Sequence, residues 1–323
     1  MHCFMSPSSI PLNPNQTYLP LAVRLSLYAQ AVQLRNDKGW GYKRISRWLS
    51  GSRKLRVPRS TVQSWINGRQ SPFGSCNVFD ARPSTGLAYV MGAAFGDGSV
   101  YRSNSHYNDE VKLAVIDEDF SRSFAECLSA IFPNHAPFSI SITRHDGCKR
   151  HVVRVGSTLL ADFLSQRIGK LDNFIRPFAP AFLRGLFDAE GCVIVTNNRG
   201  QRMSLRVELT NSDLEILRYA RKLLRLHNID STIGRYSRPS SVTRFIRGRP
   251  AKFASPTFWL VIRRQASLHR FRDFIGFNIG RKQRRLVFAL NLIRNFGTRA
   301  AAQEWTRIYK KTGARWVERD RQL

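Results

Sequence analysis

The chain has 323 residues, which is enough for two domains, and its hydrophobic content of 42% excludes disorder as the default state. Its 52 Lys and Arg against 22 Asp and Glu give a formal charge of +30, which favours a polyanionic partner, with nucleic acid as the leading candidate. No apolar run approaches the roughly 20 residues that span a bilayer, and no secretory signal is recognisable. We therefore expect a protein that is not secreted and not membrane-bound, and that lies in the cytoplasm, associated with the nucleoid of a prokaryote.

Three helices are predicted after a flexible N-terminus, residues 1–18. The first runs from Pro20 to about Asn36 and stops before Gly39, and the second begins at Tyr42. The third is predicted over 58–66. Residues 19–70 resemble a helix-turn-helix DNA-binding domain, in which one set of side chains on the third helix faces the major groove: Arg59, Ser60, Thr61, Gln63 and Ser64. The alternative is a small helical domain whose basic face is only solvated.

A polar, turn-rich linker is predicted over 71–83, followed by an internal duplication. Residues 112–120 align with 206–214, and both segments alternate as strands before an amphipathic helix. Those helices are predicted over 120–131 and 214–226. Later strands are predicted over 138–143, 152–155 and 258–262. Each copy therefore has the order helix, strands, helix, strands, helix.

Two similar segments, Val90–Gly98 and Leu183–Gly191, begin the two copies. Each is an apolar helix with small residues at i and i+4 that ends in a carboxylate followed by glycine, so the two helices can pack closely. Asp97 and Glu190 would then meet at helix C-termini, where the helix dipole already disfavours negative charge. A divalent cation, Mg²⁺ or Mn²⁺, would relieve the repulsion. The alternative is two ordinary helix ends with solvated acids.

The glycines that follow these acids, Gly98 and Gly191, are predicted to adopt the left-handed conformation that ends a helix. That conformation would free the last helical carbonyls as additional metal ligands, those of Gly96 and Ala189. The segment around His145, Cys148 and His151 could be drawn as a zinc cluster, but the absence of a fourth ligand of matching spacing favours a hairpin.

The paired motifs, their separation and the repeated element order resemble single-chain LAGLIDADG homing endonucleases of the archaeal intron-encoded type, with repeats over 84–180 and 181–290. Phe274–Phe277 followed by Arg281-Lys282-Gln283 resembles the end of the family's second repeat. The resemblance implies an α+β fold, a duplicated αββαββα saddle with pseudo-twofold symmetry, preceded by the small all-α helix-turn-helix domain.

The resemblance also implies that Asp97 and Glu190 are the metal-binding catalytic acids, one for each DNA strand. Each strand would be cut across the minor groove, leaving short 3′ overhangs. Further catalytic candidates by the same resemblance are Asp117, Asn211, Arg263 and Arg264. For Asp188, a cap or helix-interface role is favoured over a catalytic one, because Phe95 occupies its place in the first copy.

Other basic residues are predicted to contact DNA: Lys112, Arg206, Arg244, Arg247, Arg249 and Lys252. A basic extension over 291–323 is predicted to be helical, with Ala300, Ala301, Trp305 and Ile308 on one side. The sequence leaves two roles open for this extension, contact with DNA or packing on the catalytic domain.

The sequence therefore predicts a monomeric, metal-dependent double-strand DNA endonuclease with a long asymmetric target site. Two alternatives remain on the same fold. One is a non-catalytic DNA-binding transcription regulator, which the presence of both acids disfavours. The other is an intron RNA maturase, because RNA binding also needs a basic saddle.

Overall fold

The structure is a computed structural model. It describes residues 21–53, 55–73, 77–102, 109–145, 147–197, 201–236, 244–246, 249–251, 256–312 and 315–318. The chain divides into two compact units. The described residues up to Phe79, with those of Val100–Val111 and Gly156–Phe163, form the first unit. The second unit contains both motif helices.

Three helices make up the N-terminal region: α1 (Leu21–Lys38), α2 (Tyr42–Arg53) and α3 (Arg59–Ile66). Apolar residues from all three are buried together, among them Leu27, Ile45, Leu49, Val62 and Trp65. The helix α1 ends where Gly39 takes a positive φ of 62° and donates its N–H to the Arg35 carbonyl. These helices lie where the sequence predicts them.

Two repeats follow, whose element orders agree except for two additional strands in the second, Arg244–Ile246 and Arg249–Ala251. The first contains α4 (Thr85–Gly96), β1 (Gly98–Tyr101), β2 (Glu110–Val115), α5 (Glu118–Ile131), β3 (Ser141–His145), β4 (Cys148–Gly156) and α6 (Thr158–Leu164). A short helix, α7 (Asp172–Ile175), leads into the second repeat. That repeat contains α8 (Ala179–Glu190), β5 (Gly191–Asn197), β6 (Met203–Asn211), α9 (Leu214–Leu226), β7 (Thr232–Arg235), β8 (Arg244–Ile246), β9 (Arg249–Ala251), β10 (Phe258–Ile262) and α10 (Gln265–Arg270).

The two four-stranded sheets have equivalent topologies, β1-β2-β4-β3 and β5-β6-β10-β7. In the second sheet, β10 is antiparallel to both β6 and β7, with Leu260 paired to Leu209 and to Ile233. The fold is therefore α+β with a duplicated sheet, as the sequence predicts. As predicted, α9 lies between two strands, β6 and β7. The bounds of α9 and β10 coincide with the predicted ones.

Alternating burial gives each sheet a buried face and an outer face. On β2, Val111, Leu113 and Val115 are buried, whereas Lys112 lies on the partly exposed opposite face. On β6, Arg206 likewise lies on the face opposite the buried Val207. Both predicted strand contacts are thus on outer faces.

The C-terminal extension is only partly helical. The helix α11 (Gly280–Ile308) bends at Gly297, whose φ of 69° is non-helical, and packs against β5 and β6. Two strands follow, β11 (Tyr309–Thr312) and β12 (Arg315–Glu318), which pair antiparallel, so the prediction of helix is wrong for the described residues beyond Ile308. The Asn197 side-chain amide donates to the Ala302 carbonyl at 2.9 Å, so the extension packs on the second sheet.

The histidine and cysteine segment forms the β3–β4 hairpin, in which His145 pairs with Cys148 and Ile142 with His151. Within the described ranges, no group of three or more His, Cys, Asp or Glu side chains is placed to hold a metal ion. The described helices also include none that is long and apolar enough to cross a membrane.

Candidate active site at the paired helix ends

The two motif helices, α4 and α8, are in contact through their backbones. A Cβ atom at Gly92 would overlap the carbonyl oxygen of Phe182, and one at Gly185 would overlap the carbonyl oxygen of Tyr89. Phe182 follows Tyr89 by the same 93 residues by which Gly185 follows Gly92 (185 − 92 and 182 − 89). The two contacts are therefore equivalent under a pseudo-twofold axis. Only glycine, which has no Cβ, allows the two backbones to come this close.

The C-terminal ends of these helices meet. Asp97 is the C-cap of α4 and donates its N–H to the Ala93 carbonyl, and Glu190 is the last residue of α8. A Cβ atom at Gly96 would overlap the Ala189 side chain and lie 3.1 Å from Cγ of Glu190. The structure thus brings the two predicted acids to one place.

Electrostatics at this point disfavour two ionised carboxylates. Burial, and then the negative charge of Asp97, raise the pKa of Glu190 to about 7. The pKa of Asp97 is also raised, chiefly by burial, with the Lys282 ammonium opposing the shift and Asp117 adding to it. A pair of acids held together against this cost is well suited to bind a cation.

The glycines after the acids do not take the predicted left-handed conformation. Neither Gly98 nor Gly191 has a positive φ, and Gly191 is extended at φ −82°, ψ 148°. A Cβ at Gly98 would press on the Ala94 backbone, and one at Gly191 would overlap the Phe187 carbonyl oxygen. Glycine is needed here because each strand turns back against its own helix, and not for positive φ.

The sequence reasoning missed Lys282 as a site residue. Its side chain is buried, and its Nζ donates to the carbonyl oxygens of Asp188 at 2.6 Å and Phe187 at 3.3 Å, at the C-terminal end of α8. Burial lowers the pKa of Lys282, and the carboxylates of Asp188, Asp117 and Asp97 oppose that shift. The only signal in the sequence was its place in Arg281-Lys282-Gln283, at the end of the second repeat.

The matched candidates Asp117 and Asn211 have different partners. Arg281 binds Asp117 through two hydrogen bonds, Nε to Oδ1 at 2.6 Å and Nη2 to Oδ2 at 2.7 Å, and so lowers the pKa of Asp117. The side-chain oxygen of Asn211 instead accepts the N–H of Asp213 at 2.8 Å, at the start of α9. The two copies therefore differ next to their acids.

The arginines predicted after β10 are engaged elsewhere. Arg264 forms an exposed ion pair with Asp230 at 2.7 Å, and the Arg263 guanidinium lies over the Trp259 ring, 5.8 Å from its centroid. The contacts described for these two arginines do not include Asp97 or Glu190.

Asp188 is structural, as the sequence favoured. It is buried and accepts hydrogen bonds from the Tyr89 hydroxyl at 2.8 Å and from the backbone N–H groups of Asn278 at 3.0 Å and Ile279 at 3.3 Å. Burial raises the pKa of Asp188 to about 6 although these donors oppose the shift. Asp188 thereby ties α4, α8 and the start of α11 together.

A cleft of about 300 Å³ opens beside the paired helix ends. Its lining includes acids and bases in equal number: Asp97, Asp117, Asp188, Arg150, Arg281 and Lys282. Negative groups that could hold a cation thus adjoin positive groups that could hold a phosphate.

Residues 177–276 match the family model of the LAGLIDADG-like domain. The matched range contains the second motif helix, α8. An uncharacterized protein of Methanocaldococcus jannaschii is 29% identical over 262 residues, which cover 80% of this chain and 90% of that protein.

The solved structures that are similar to the chain include the two that follow. The homing endonuclease I-DmoI in complex with DNA and Ca matches with 18% identity and a TM-score of 0.44, covering 63% of this chain and 97% of that one. The N-terminal LAGLIDADG domain of DUF199/WhiA matches with 20% identity and a TM-score of 0.38, covering 60% of this chain and 82% of that one.

The remaining predicted DNA contacts are distributed over several elements. On α3, Arg59 and Ser60 are exposed, and Thr61, Gln63 and Ser64 are partly exposed, whereas Val62 and Trp65 are buried. Arg244 and Arg249 belong to the paired strands β8 and β9, and their side chains are not described. Arg247, Lys252 and the N-terminal residues 1–18 lie outside the described residues.

Lys282→Met should destabilise the protein by about 2 kcal/mol, because it removes a buried cation and its two hydrogen bonds to the end of α8. Urea denaturation measures the loss as a lower midpoint. The control is Arg284→Met on the exposed part of the same helix. This variant should change the free energy of unfolding by no more than about 0.5 kcal/mol. Equal midpoints for both variants would show that Lys282 does not stabilise the site.

Proposed function

We propose that the protein is a site-specific, metal-dependent double-strand DNA endonuclease. It hydrolyses one phosphodiester on each strand across the minor groove and leaves short 3′ overhangs. The observation that supports this most directly is the meeting of Asp97 and Glu190 at the ends of two helices related by a pseudo-twofold contact. Two acids so related suit a duplex, whose two strands are themselves related by local twofold axes.

The residues present fit a divalent cation. Burial raises the pKa of both carboxylates, and the negative charge of Asp97 adds to the shift of Glu190, so a bound Mg²⁺ or Mn²⁺ would offset the repulsion at this point. The carbonyls of Gly96 and Ala189 are the additional ligands that we propose. Because the described part of the chain supplies few ligands, phosphate oxygens and water would complete the shell. A bound metal ion would polarise the phosphate and lower the pKa of a bound water.

The protein's own groups bind and orient the duplex. Arg150, Arg281 and Lys282 line the cleft beside the acids, where a scissile phosphate would bring negative charge. The net charge of +30 supplies the wider attraction for the backbone. Direct catalytic roles for Asp117, Asn211, Arg263 and Arg264 stay predictions.

The N-terminal helices would act as a second DNA-binding domain. On α3, Ser60, Gln63 and Ser64 lie on the face opposite Val62 and Trp65, as a recognition helix requires. A monomer with two unequal repeats and this additional domain would read a long asymmetric site.

Cleavage should depend on divalent metal. With Mg²⁺, the protein should cut a duplex spanning the intron-lacking allele of its host gene, and EDTA should abolish cutting, which gel electrophoresis of the end-labelled strands measures. Both strands should be cut a few nucleotides apart. Binding of the duplex without cutting would instead support a transcription regulator. Binding of the intron RNA without cutting would support the maturase.

A further inference from the structure

The outer face of β6 carries a buried carboxylate. Glu208 is only 5% exposed, and it accepts a hydrogen bond from Nε of Arg206 at 3.1 Å and another from the Tyr236 hydroxyl. Burial and the contact with Glu208 raise the pKa of Tyr236 to about 12, so the hydroxyl remains a donor at neutral pH. If this face lies on DNA, a carboxylate there would repel phosphates, so its presence needs a reason.

The geometry around Glu208 fixes Arg206. Because Arg206 and Glu208 are two residues apart on one strand, their side chains share a face, and the Nε hydrogen bond sets the plane of the guanidinium. The two terminal nitrogens of Arg206 make no hydrogen bond with a described residue. They form the planar fork that matches the O6 and N7 acceptors of guanine in the major groove.

We propose that Arg206 reads one guanine in the half-site bound by the second sheet, and that Glu208 and Tyr236 are positioning residues that hold its guanidinium. The proposal rests on the proposed function, since it requires that the outer face of this sheet lies on DNA. Glu208 then serves recognition through Arg206 and does not itself contact a base.

The first repeat supplies a natural comparison. In the aligned segments, Lys112 corresponds to Arg206 and Ala114 to Glu208. Lys112 also lies on an outer face, but a lysine has no planar fork, and alanine cannot orient it. Lys112 therefore contributes a phosphate contact without base preference. The half-site of the second sheet then requires a guanine at this position, whereas the half-site of the first sheet accepts any base.

The test is binding selection from a randomised duplex library in EDTA, followed by sequencing of the bound fraction. Arg206→Lys should lower the preference for guanine at one position about 10-fold and leave the other positions unchanged. Glu208→Gln and Tyr236→Phe should weaken the same position to a lesser extent. Lys112→Met should weaken binding uniformly and change no position. Melting temperatures of the variants verify that they are folded.

A guanine analogue confirms the contact. Replacing that guanine by 7-deazaguanine removes the N7 acceptor, so binding by the unaltered protein should fall and binding by Arg206→Lys should not fall further. If the library yields a motif and Arg206→Lys leaves every position unchanged, the inference is wrong and the proposed function stands. If the unaltered protein enriches no sequence, the proposed function fails and the inference fails with it.

Discussion

Glu190→Gln and Asp97→Asn should each abolish double-strand cleavage, with at least about a 100-fold loss of rate, and leave DNA affinity largely intact. An amide keeps the shape of the carboxylate but supplies no charge for a metal ion. Folding should not suffer, because burial already disfavours the charged form of both acids. Rates come from cleavage of a labelled duplex with Mg²⁺, and affinity from binding without it.

Two matched variants control for the change of charge. Glu118→Gln lies at the exposed start of α5, and Asp213→Asn keeps an N-cap that asparagine fills as well as aspartate does. Both should cut at the unaltered rate. Cutting by Glu190→Gln and Asp97→Asn at that same rate would refute the assignment of the acids.

Gly92→Ala and Gly185→Ala should each destabilise the protein by about 3 kcal/mol or more, because the added methyl group meets backbone atoms of the facing helix and not a side chain that can move. The pseudo-twofold contact predicts similar losses for both variants. Chemical denaturation measures them. Spreading of the helices should also separate the acids, so cleavage should fall even in the folded fraction.

Gly51→Ala is the matched control for these glycines. Gly51 also lies within a helix, α2, but a Cβ there would meet nothing within 4 Å. Since alanine has the higher helix propensity, this variant should be more stable by up to about 1 kcal/mol. If Gly92→Ala is as stable as Gly51→Ala, then α4 and α8 pack less closely than the structure describes.

Local patterns in the sequence were sufficient for much of the fold. Periodicity identified the helices, β4 and β10, whereas the strand predicted over 138–143 begins only at Ser141, as β3. The small residues of α4 and α8 indicated a close helix contact. The repeated motif also indicated that Asp97 and Glu190 meet, because duplication implies symmetry. These features depend on neighbours along the chain or on the internal repeat, and both can be read from a single sequence.

The features that could not be predicted depend on contacts distant in sequence. Lys282 becomes a site residue only because α11 begins beside the end of α8, more than 90 residues after Phe187. The Arg281–Asp117 pair spans 164 residues. Gly191 does not take the predicted left-handed conformation because strand β5 begins at this residue, with no loop to make a left-handed turn.

The start of α11 has a consequence for how the two repeats relate to each other. This helix follows the second repeat, yet Arg281 and Gly280 N–H bind Asp117 and Asp119 of the first. Asn211 of the second repeat corresponds to Asp117 of the first. In a homodimer built from the second repeat alone, Arg281 would therefore face Asn211, whose uncharged amide cannot form an ion pair. The two repeats are thus held together by an ion pair that the second repeat could not form with a copy of itself.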